Sequence, residues 1–441
     1  MPGGVHRRAG GKYRRSLTLC CPRRLGADEL YSVRLFSEVR MRAVHAVGVR
    51  SLRGLMVPLW GFALLSGGCK PSEYVVEPFE VRDEEPGSDI GSWMSMGIAP
   101  DGERLLVSYY DRSAGGLGFG IGSVDEATGE VSWIHEHVDG YPGDDGLDRG
   151  DRGKYTSMKV AKDGTVWVAY QDVTNGSLWA AHRRGPTWET MSVDLGSGLR
   201  PQVGAWNSLA IDENNNPVIA YYDVANGDLK VARLSDGTWT KDVVYAGEPW
   251  TGDEGGAAVT RPPAAGQYAR LMIDGNIEYI AFYDGASRNL HLLEGPRGSY
   301  VHTVLTTEGD NGQWPSMVFQ ADTLHIAYQD VANQRLMLAS RQGGAPFAHQ
   351  TVDFAPYTGA DTEVFIREGR VAITYFDGRD NDMKLATQSG AAWVTQRLAG
   401  EDGAAGYHNE VVRRGDVWWT ATYDYTKRSL ALKSLPPFTG G

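Results

Sequence analysis

The sequence predicts an all-β protein, a seven-bladed β-propeller of four-stranded antiparallel blades. Three observations carry this. A strand–turn–strand segment, "VIAYYDVANGDLKVARL" at 218–234, recurs as "VWVAYQDVTNGSLWAAHR" at 166–183 and "LHIAYQDVANQRLMLASR" at 324–341. Alignment on the Asp of this Tyr-x-Asp pattern gives seven copies, at Asp111, Asp172, Asp223, Asp284, Asp330, Asp377 and Asp424, spaced 61, 51, 61, 46, 47 and 47 residues apart. An apolar residue stands six places after every one: Leu117, Leu178, Leu229, Leu290, Leu336, Met383 and Leu430. Periods of this length signal a repeat architecture, and four strands in each period signal a propeller blade.

The elements follow from local chemistry. Segments such as "VIAYYD" are β-branched and aromatic and bounded by turn residues, so they read as strands. "DVANGDL" contains Asn-Gly, a hairpin signal. Upstream of each hairpin lies a first strand ending in a polar turn, as in "SLAIDENNNP". Downstream lies a Trp-containing strand, as in "GTWTKDVVYA". The last copy lacks this fourth strand. "SEYVVEPFEVRDE" at 72–84 precedes the first full unit as a lone strand, and it is expected to complete the last blade and close the ring, removing exposed sheet edges.

The residues before the repeat are of another kind. "MRAVHAVGVRSLRGLMVPLWGFALLSGGC" at 41–69 has a basic start, an apolar run and a small-residue end, the pattern of a secretory signal. Residues 1–40 are Arg-rich and patternless and read as an upstream segment before the true start at Met41. The propeller is expected to occupy 70–441. Residues 1–68 carry 12 Lys/Arg and 3 Asp/Glu, which leaves 31 and 52 for the remainder, a net charge of −21. So acidic a surface excludes nucleic acid and anionic headgroups as partners. It suits cations, basic proteins or neutral glycans. Beyond Cys20 and Cys21 the chain has one Cys, Cys69, so no disulfide framework is expected.

The repeated Asp residues end the second strand of each unit, where a carboxylate can accept backbone N–H groups of the following turn. Their symmetry also admits a ring of metal ligands, but a residue kept in every unit serves the unit, and the close ligand spacing of a calcium loop is missing. A second recurrence opens the innermost strand as Gly-x-aromatic-x-Ser: Gly91-Ser-Trp93-Met-Ser95, Gly153-Lys-Tyr155-Thr-Ser157, Gly204-Ala-Trp206-Asn-Ser208 and Gly312-Gln-Trp314-Pro-Ser316. Unit four departs to Gly266-Gln-Tyr268-Ala-Arg270, unit six to Gly359-Ala-Asp361-Thr-Glu363, and unit seven to Gly406-Tyr-His408-Asn-Glu410. Repetition reports architecture, and its breaks report another pressure. Residues two apart on a strand share a face. Asp361 with Glu363 and His408 with Glu410 are therefore candidate ligand-binding pairs at the central channel, with Arg270 across it. Such a set could hold a divalent cation such as Ca2+, act on a sugar by acid–base chemistry, or simply line a wet channel or form ion pairs among its own members. Two long connections, 139–155 and 246–268, offer further loops, the second with Trp250 and Arg261.

Two resemblances rest on these residues. "LLSGGC" at 64–69 resembles the bacterial lipoprotein lipobox, with Ser66 in place of the usual Leu. It implies lipidation of Cys69 and anchoring outside the cytoplasm, with no other membrane contact. The seven units, over 74–434, resemble the propeller repeats of bacterial secreted lipoproteins grouped with the sialidase-like superfamily. The turn "LSDGTW" at 234–239 looks like a worn Asp-box of that group. A Phe-Arg-Ile-Pro segment and a set of three Arg spread over the blades are missing, so the resemblance implies the fold rather than sialidase activity. The expectation is a monomeric, lipid-anchored binding or scaffold protein without catalysis, its ligand a glycan or a protein. Two alternatives stand beside it: a glycoside-active hydrolase or lyase using the blade 6 and 7 carboxylates, and a purely structural surface protein.

Overall fold

The computed structural model describes residues 89–142, 149–254, 256–401 and 403–437. Among them are seven antiparallel sheets arranged as a β-propeller, plus one two-stranded hairpin, and no helix. Blade 3 is representative: strands Val203–Ile211, Pro217–Asp223, Asp228–Ser235 and Thr238–Tyr245 pair in sequence order from the channel outwards. Blades 1 to 6 show all four strands, and blade 7 shows three, Ala405–Arg414, Val417–Asp424 and Ser429–Ser434. The expected closing strand at 72–84 lies outside the described residues, as do the signal segment and Cys69.

The core is not inside the blades but between them. Seven apolar clusters fill the seven gaps between neighbouring blades. The cluster joining blade 7 to blade 1 contains Ile90, Met96, Leu105, Val107 and Tyr109 from one side, and Trp419, Tyr423, Leu430 and Leu432 from the other. The cluster between blades 2 and 3 contains Trp167, Leu178, Leu209, Ile219 and Tyr221. The ring therefore closes through the same kind of contact that joins every other pair of blades.

The two sequence motifs are the two halves of this contact. The Gly that opens each inner strand has a left-handed φ, from +93° to +120°. A Cβ on it would strike the residue six places after the Asp of the preceding blade: Gly153 would meet Leu117 at 2.8 Å, Gly204 Leu178 at 3.0 Å, Gly312 Leu290 at 2.3 Å, and Gly91 Leu430 at 2.8 Å. Only Gly has both the backbone freedom and the missing Cβ. The unvarying offset from Asp to Leu fixes where that Leu arrives.

The turn after each second strand is longer than the two-residue hairpin that Asn-Gly most simply predicts. In blade 3, Asp223 pairs with Asp228, and the Gly227 N–H donates to the Asp223 carbonyl at 2.8 Å. The Asp carboxylates fill this turn as expected of its geometry. Asp111 accepts from the N–H groups of Ser113 and Ala114 at 2.9 and 3.0 Å, and Asp172, Asp223 and Asp330 accept from Asn175, Asn226 and Asn333 at 3.0, 3.2 and 3.0 Å. Asp284, Asp377 and Asp424 accept from Ala286, Arg379 and Thr426 at 3.0, 2.9 and 2.9 Å. "LSDGTW" forms a tight turn between the third and fourth strands of blade 3, with Ser235 paired to Thr238 and both Asp236 and Gly237 left-handed.

The connection at 246–268 is not a loop but a β-hairpin, Trp250–Glu254 with Ala257–Arg261. Arg261 lies over the Trp250 ring at 4.1 Å and donates to the Ala286 carbonyl at 2.5 Å, and Arg288 pairs with Glu254 at 3.0 Å. The two side chains that made this segment a binding candidate thus hold each other and pin the hairpin to the blade 4 turn. Among the described residues no helix is long and apolar enough to cross a membrane.

Candidate functional site at the channel mouth

The inner strands begin on the face that carries the Asp turns, so the motif after the opening Gly surrounds one mouth of the channel. Its third residue is left-handed in all seven blades: Trp93, Tyr155, Trp206, Tyr268, Trp314, Asp361 and His408 have φ between +45° and +54°. A left-handed backbone disfavours any side chain with a Cβ by roughly 1 kcal/mol or more. The cost is offset by bonds between blades. The Thr156 hydroxyl donates to the Trp93 carbonyl at 2.6 Å, and Asn207 donates to that of Tyr155 at 2.7 Å. Thr362 and Asn409 donate in the same way to Trp314 and Asp361, at 2.7 and 3.0 Å.

Five aromatic side chains, one imidazole and one carboxyl therefore form a ring. Adjacent ring centroids lie 5.4 Å apart for Trp93 and Tyr155, 5.6 Å for Tyr155 and Trp206, 5.0 Å for Trp206 and Tyr268, and 4.9 Å for Tyr268 and Trp314. Trp93 meets His408 at 5.4 Å. Neighbours tilt by 39–53°, as one orientation repeated every seventh of a turn requires. Asp361 takes the one remaining place, between Trp314 and His408.

The motif's last residue forms a second tier. The Ser95 hydroxyl accepts the Met158 N–H of the next blade at 3.1 Å. Ser157, Ser208 and Ser316 accept from Leu209, Leu271 and Val364 at 2.9, 3.0 and 3.0 Å. At the seam Glu410 stands in the Ser position, its carboxylate close enough to the Met96 N–H of blade 1 for that dipole to favour the ionised form. The other two departures pair: Arg270 reaches Glu363 at 3.7 Å, and its Nε donates to the Pro315 carbonyl at 3.3 Å. Arg270, from blade 4, thus meets the blade 6 carboxylate, the ion pairing that the sequence left open. Thr362 and Asn409 are buried between the members of each candidate pair, so both members of each pair turn to the channel, one in each tier.

Enclosure by the channel wall sets the electrostatics. Burial pushes the Asp361 pKa up to about 7, against the His408 N–H and Arg270, which pull it down. Burial and the neighbouring Glu363 push Glu410 up to about 7, while Arg270, Lys159 and the Met96 N–H oppose this. Glu363 is raised by burial, with Arg270 and Lys159 opposing. Burial and Arg112 hold His408 down to about 3, so it is neutral at physiological pH. Two carboxyls confined in one tier cannot both ionise freely. The seven turn Asp residues, by contrast, stay in their separate turns. Among the described residues no three His, Cys, Asp or Glu side chains come together as a metal ion needs.

Sequence reading singled out the exceptions in the motif and passed over its regular aromatic members, which form most of the mouth. Their signal was present, since one aromatic position recurs in five units, but repetition was read as architecture alone. Lys159, two places beyond Ser157 and close enough to act on both glutamates, was also missed.

No family model matches the chain, and no curated protein is similar to it. Solved structures are similar to it at low identity. A Hadza microbial sialidase is 12% identical, with a TM-score of 0.42, covering 70% of this chain and 65% of its own. The polysaccharide lyase Uly1 is 10% identical, with a TM-score of 0.48, covering 85% and 93%. A Trypanosoma rangeli sialidase is 10% identical, with a TM-score of 0.38, covering 70% and 56%. The chain thus spans just under two thirds of the first of these and little more than half of the last.

Proposed function

We propose that this protein is a non-enzymatic binding protein, anchored outside the cytoplasm through a lipid on Cys69, and that it takes the end of a glycan at the channel mouth. The observation that carries the proposal is the ring of Trp93, Tyr155, Trp206, Tyr268, Trp314 and His408, interrupted once by Asp361. Ligand sites combine largely apolar, aromatic walls with few polar groups that fix orientation, and aromatic rings offer large rigid surfaces for the C–H faces of sugars. The polar groups deeper in the channel have other surroundings: Glu363 pairs with Arg270, and Glu410 stands at the seam near the Met96 N–H. A glycan array probed with the full chain should give discrete hits, and Trp206→Leu with Trp314→Leu should abolish them without unfolding. An array without hits, or hits indifferent to both substitutions, would refute this site.

One observation favours a second reading. Glu363 and Glu410 lie in one tier on adjacent blades, and a carboxyl with a pKa near 7 suits a general acid in glycoside cleavage. Incubation of the array hits with the full chain decides between the readings. Unchanged ligands mean binding, and new reducing or unsaturated ends that vanish in Glu410→Gln mean catalysis.

A further inference from the structure

Resting on the reading that the mouth is the binding site, we infer that the ligand group entering it is a small organic cation, an alkylammonium, seated against Trp206, Tyr268 and Trp314 and paired with Asp361. A ring of aromatic side chains completed by one acid is the arrangement that attracts such a cation. The π faces carry negative potential, and the attraction grows as water is excluded.

The structure already uses this attraction on one side of the mouth. Lys154 Nζ lies 5.2 Å from the Trp93 ring and the Arg112 guanidinium 5.8 Å from it. Those fixed charges disfavour a mobile cation in that sector. On the other side, no Lys or Arg lies over Trp206 or Trp314 among the described residues. Asp361 lies near the His408 backbone N–H, which favours its ionised form, and forms no ion pair with a described Lys or Arg. The nearest cation, Arg270, is turned to Glu363 and the Pro315 carbonyl. Asp361 thus stands beside Trp314 in a sector where no described Lys or Arg lies over Trp206 or Trp314, with Arg270 acting on it from the tier below. The enclosed carboxyl is half-protonated near neutrality, so a cation that ionises it must release a proton. Arg112, Lys154, Arg270 and Lys159 oppose the cation, and Glu363 and Glu410 favour it from the tier below. The net charge of −12 for the whole chain acts in the same direction at long range.

Calorimetry on the full chain tests this at pH 8 with choline and its uncharged isostere 3,3-dimethylbutan-1-ol, and separately at pH 7, where the amine is protonated, with glucosamine and glucose. At least one cation should bind tenfold or more tightly than its neutral counterpart. Asp361→Asn should remove that preference while leaving the melting temperature within a few degrees, and the affinity for choline, whose charge does not titrate, should fall as the pH is lowered from 8 to 6. A preference in the choline pair assigns the group as a quaternary ammonium, and one in the glucosamine pair as an amine carried on a sugar; either supports the inference. Equal binding within both pairs, or a cation preference that survives Asp361→Asn, overturns it. If neutral glycans then still bind in a Trp206- and Trp314-dependent way, the binding reading stands alone. If nothing binds, both fall.

Discussion

Glu410→Gln separates the proton held in the channel from the packing at the seam. In the wild type the carboxylate stands near the Met96 N–H across the seam, and the Gln carbonyl can stand there in the same way. What the substitution removes is the titration. The Glu410 pKa stands at about 7 in the folded protein, against 4.5 for the free side chain, chiefly through burial and then through Glu363. A raised pKa means that the folded state binds the extra proton. Its contribution to stability is complete below pH 4.5 and is lost as the pH rises through 7. At about 1.4 kcal/mol per unit, the loss is on the order of 3 kcal/mol, shared between Glu410 and Glu363 because they compete for one proton. His408 works in the opposite sense: held down to about 3, it costs stability as the pH falls below 6.5. The wild type alone therefore shows a shallow optimum, and the informative quantity is the difference between variant and wild type. Urea unfolding of both proteins at pH 5 and pH 8 should show Glu410→Gln destabilised or neutral at pH 5 and relatively more stable at pH 8, by roughly 1–3 kcal/mol. The same difference at both pH values, within about half a kcal/mol, would refute the account of the channel electrostatics.

Other outcomes are equally definite. Gly312→Ala should cost at least about 2 kcal/mol in urea unfolding, since its Cβ would stand 2.3 Å from that of Leu290 at a φ of +120°; a cost under about 0.5 kcal/mol would contradict the interface described. Asp223→Ala should cost on the order of 1 kcal/mol through the lost Asn226 contacts, and should leave glycan-array hits unchanged. Mass spectrometry of a membrane fraction should find a mature N-terminus at Cys69 carrying acyl mass, and a mature chain that starts elsewhere without lipid would dismiss the anchor. Removal of 70–84 should lower the melting temperature by far more than loss of an idle tail, and an unchanged midpoint would show that this segment does not complete blade 7.

Much of this architecture was legible in the chain. The Asp-to-Leu offset and the Gly-x-aromatic-x-Ser motif are each visible by alignment, and together they count the blades. Their relation to one another was not legible, because Gly204 meets Leu178 and Gly312 meets Leu290 across a blade boundary, and a sequence records neighbours along the chain only. The left-handed residues were hidden for another reason. Trp and Tyr rarely adopt positive φ, so nothing in Trp93 or Tyr155 announces it, and the bonds that sustain it come from the following blade. The departures at Asp361, Glu363, His408, Glu410 and Arg270 were visible as broken repetition. That Glu410 stands near the Met96 N–H across the seam, and that Arg270 joins Glu363, depends on angles around a ring that no linear spacing encodes. The insertion at 246–268 was misjudged because its Gly- and Pro-rich composition speaks for loops, while the alternation in Ala257–Arg261 is too short to register.

The placement of the apolar clusters between blades makes the chain's point of entry into the ring arbitrary. Each cluster takes members from one blade and from the next, and six of the seven, including the one between blade 7 and blade 1, are shared almost evenly; the cluster between blades 6 and 7 draws mainly on blade 6. A linker between the two ends of the described propeller, with any connection between consecutive blades opened instead, would leave every cluster intact. Circular permutants cut at successive inter-blade connections are expected to converge on one structure. They would differ in folding order, and in which pair of blades must find each other last.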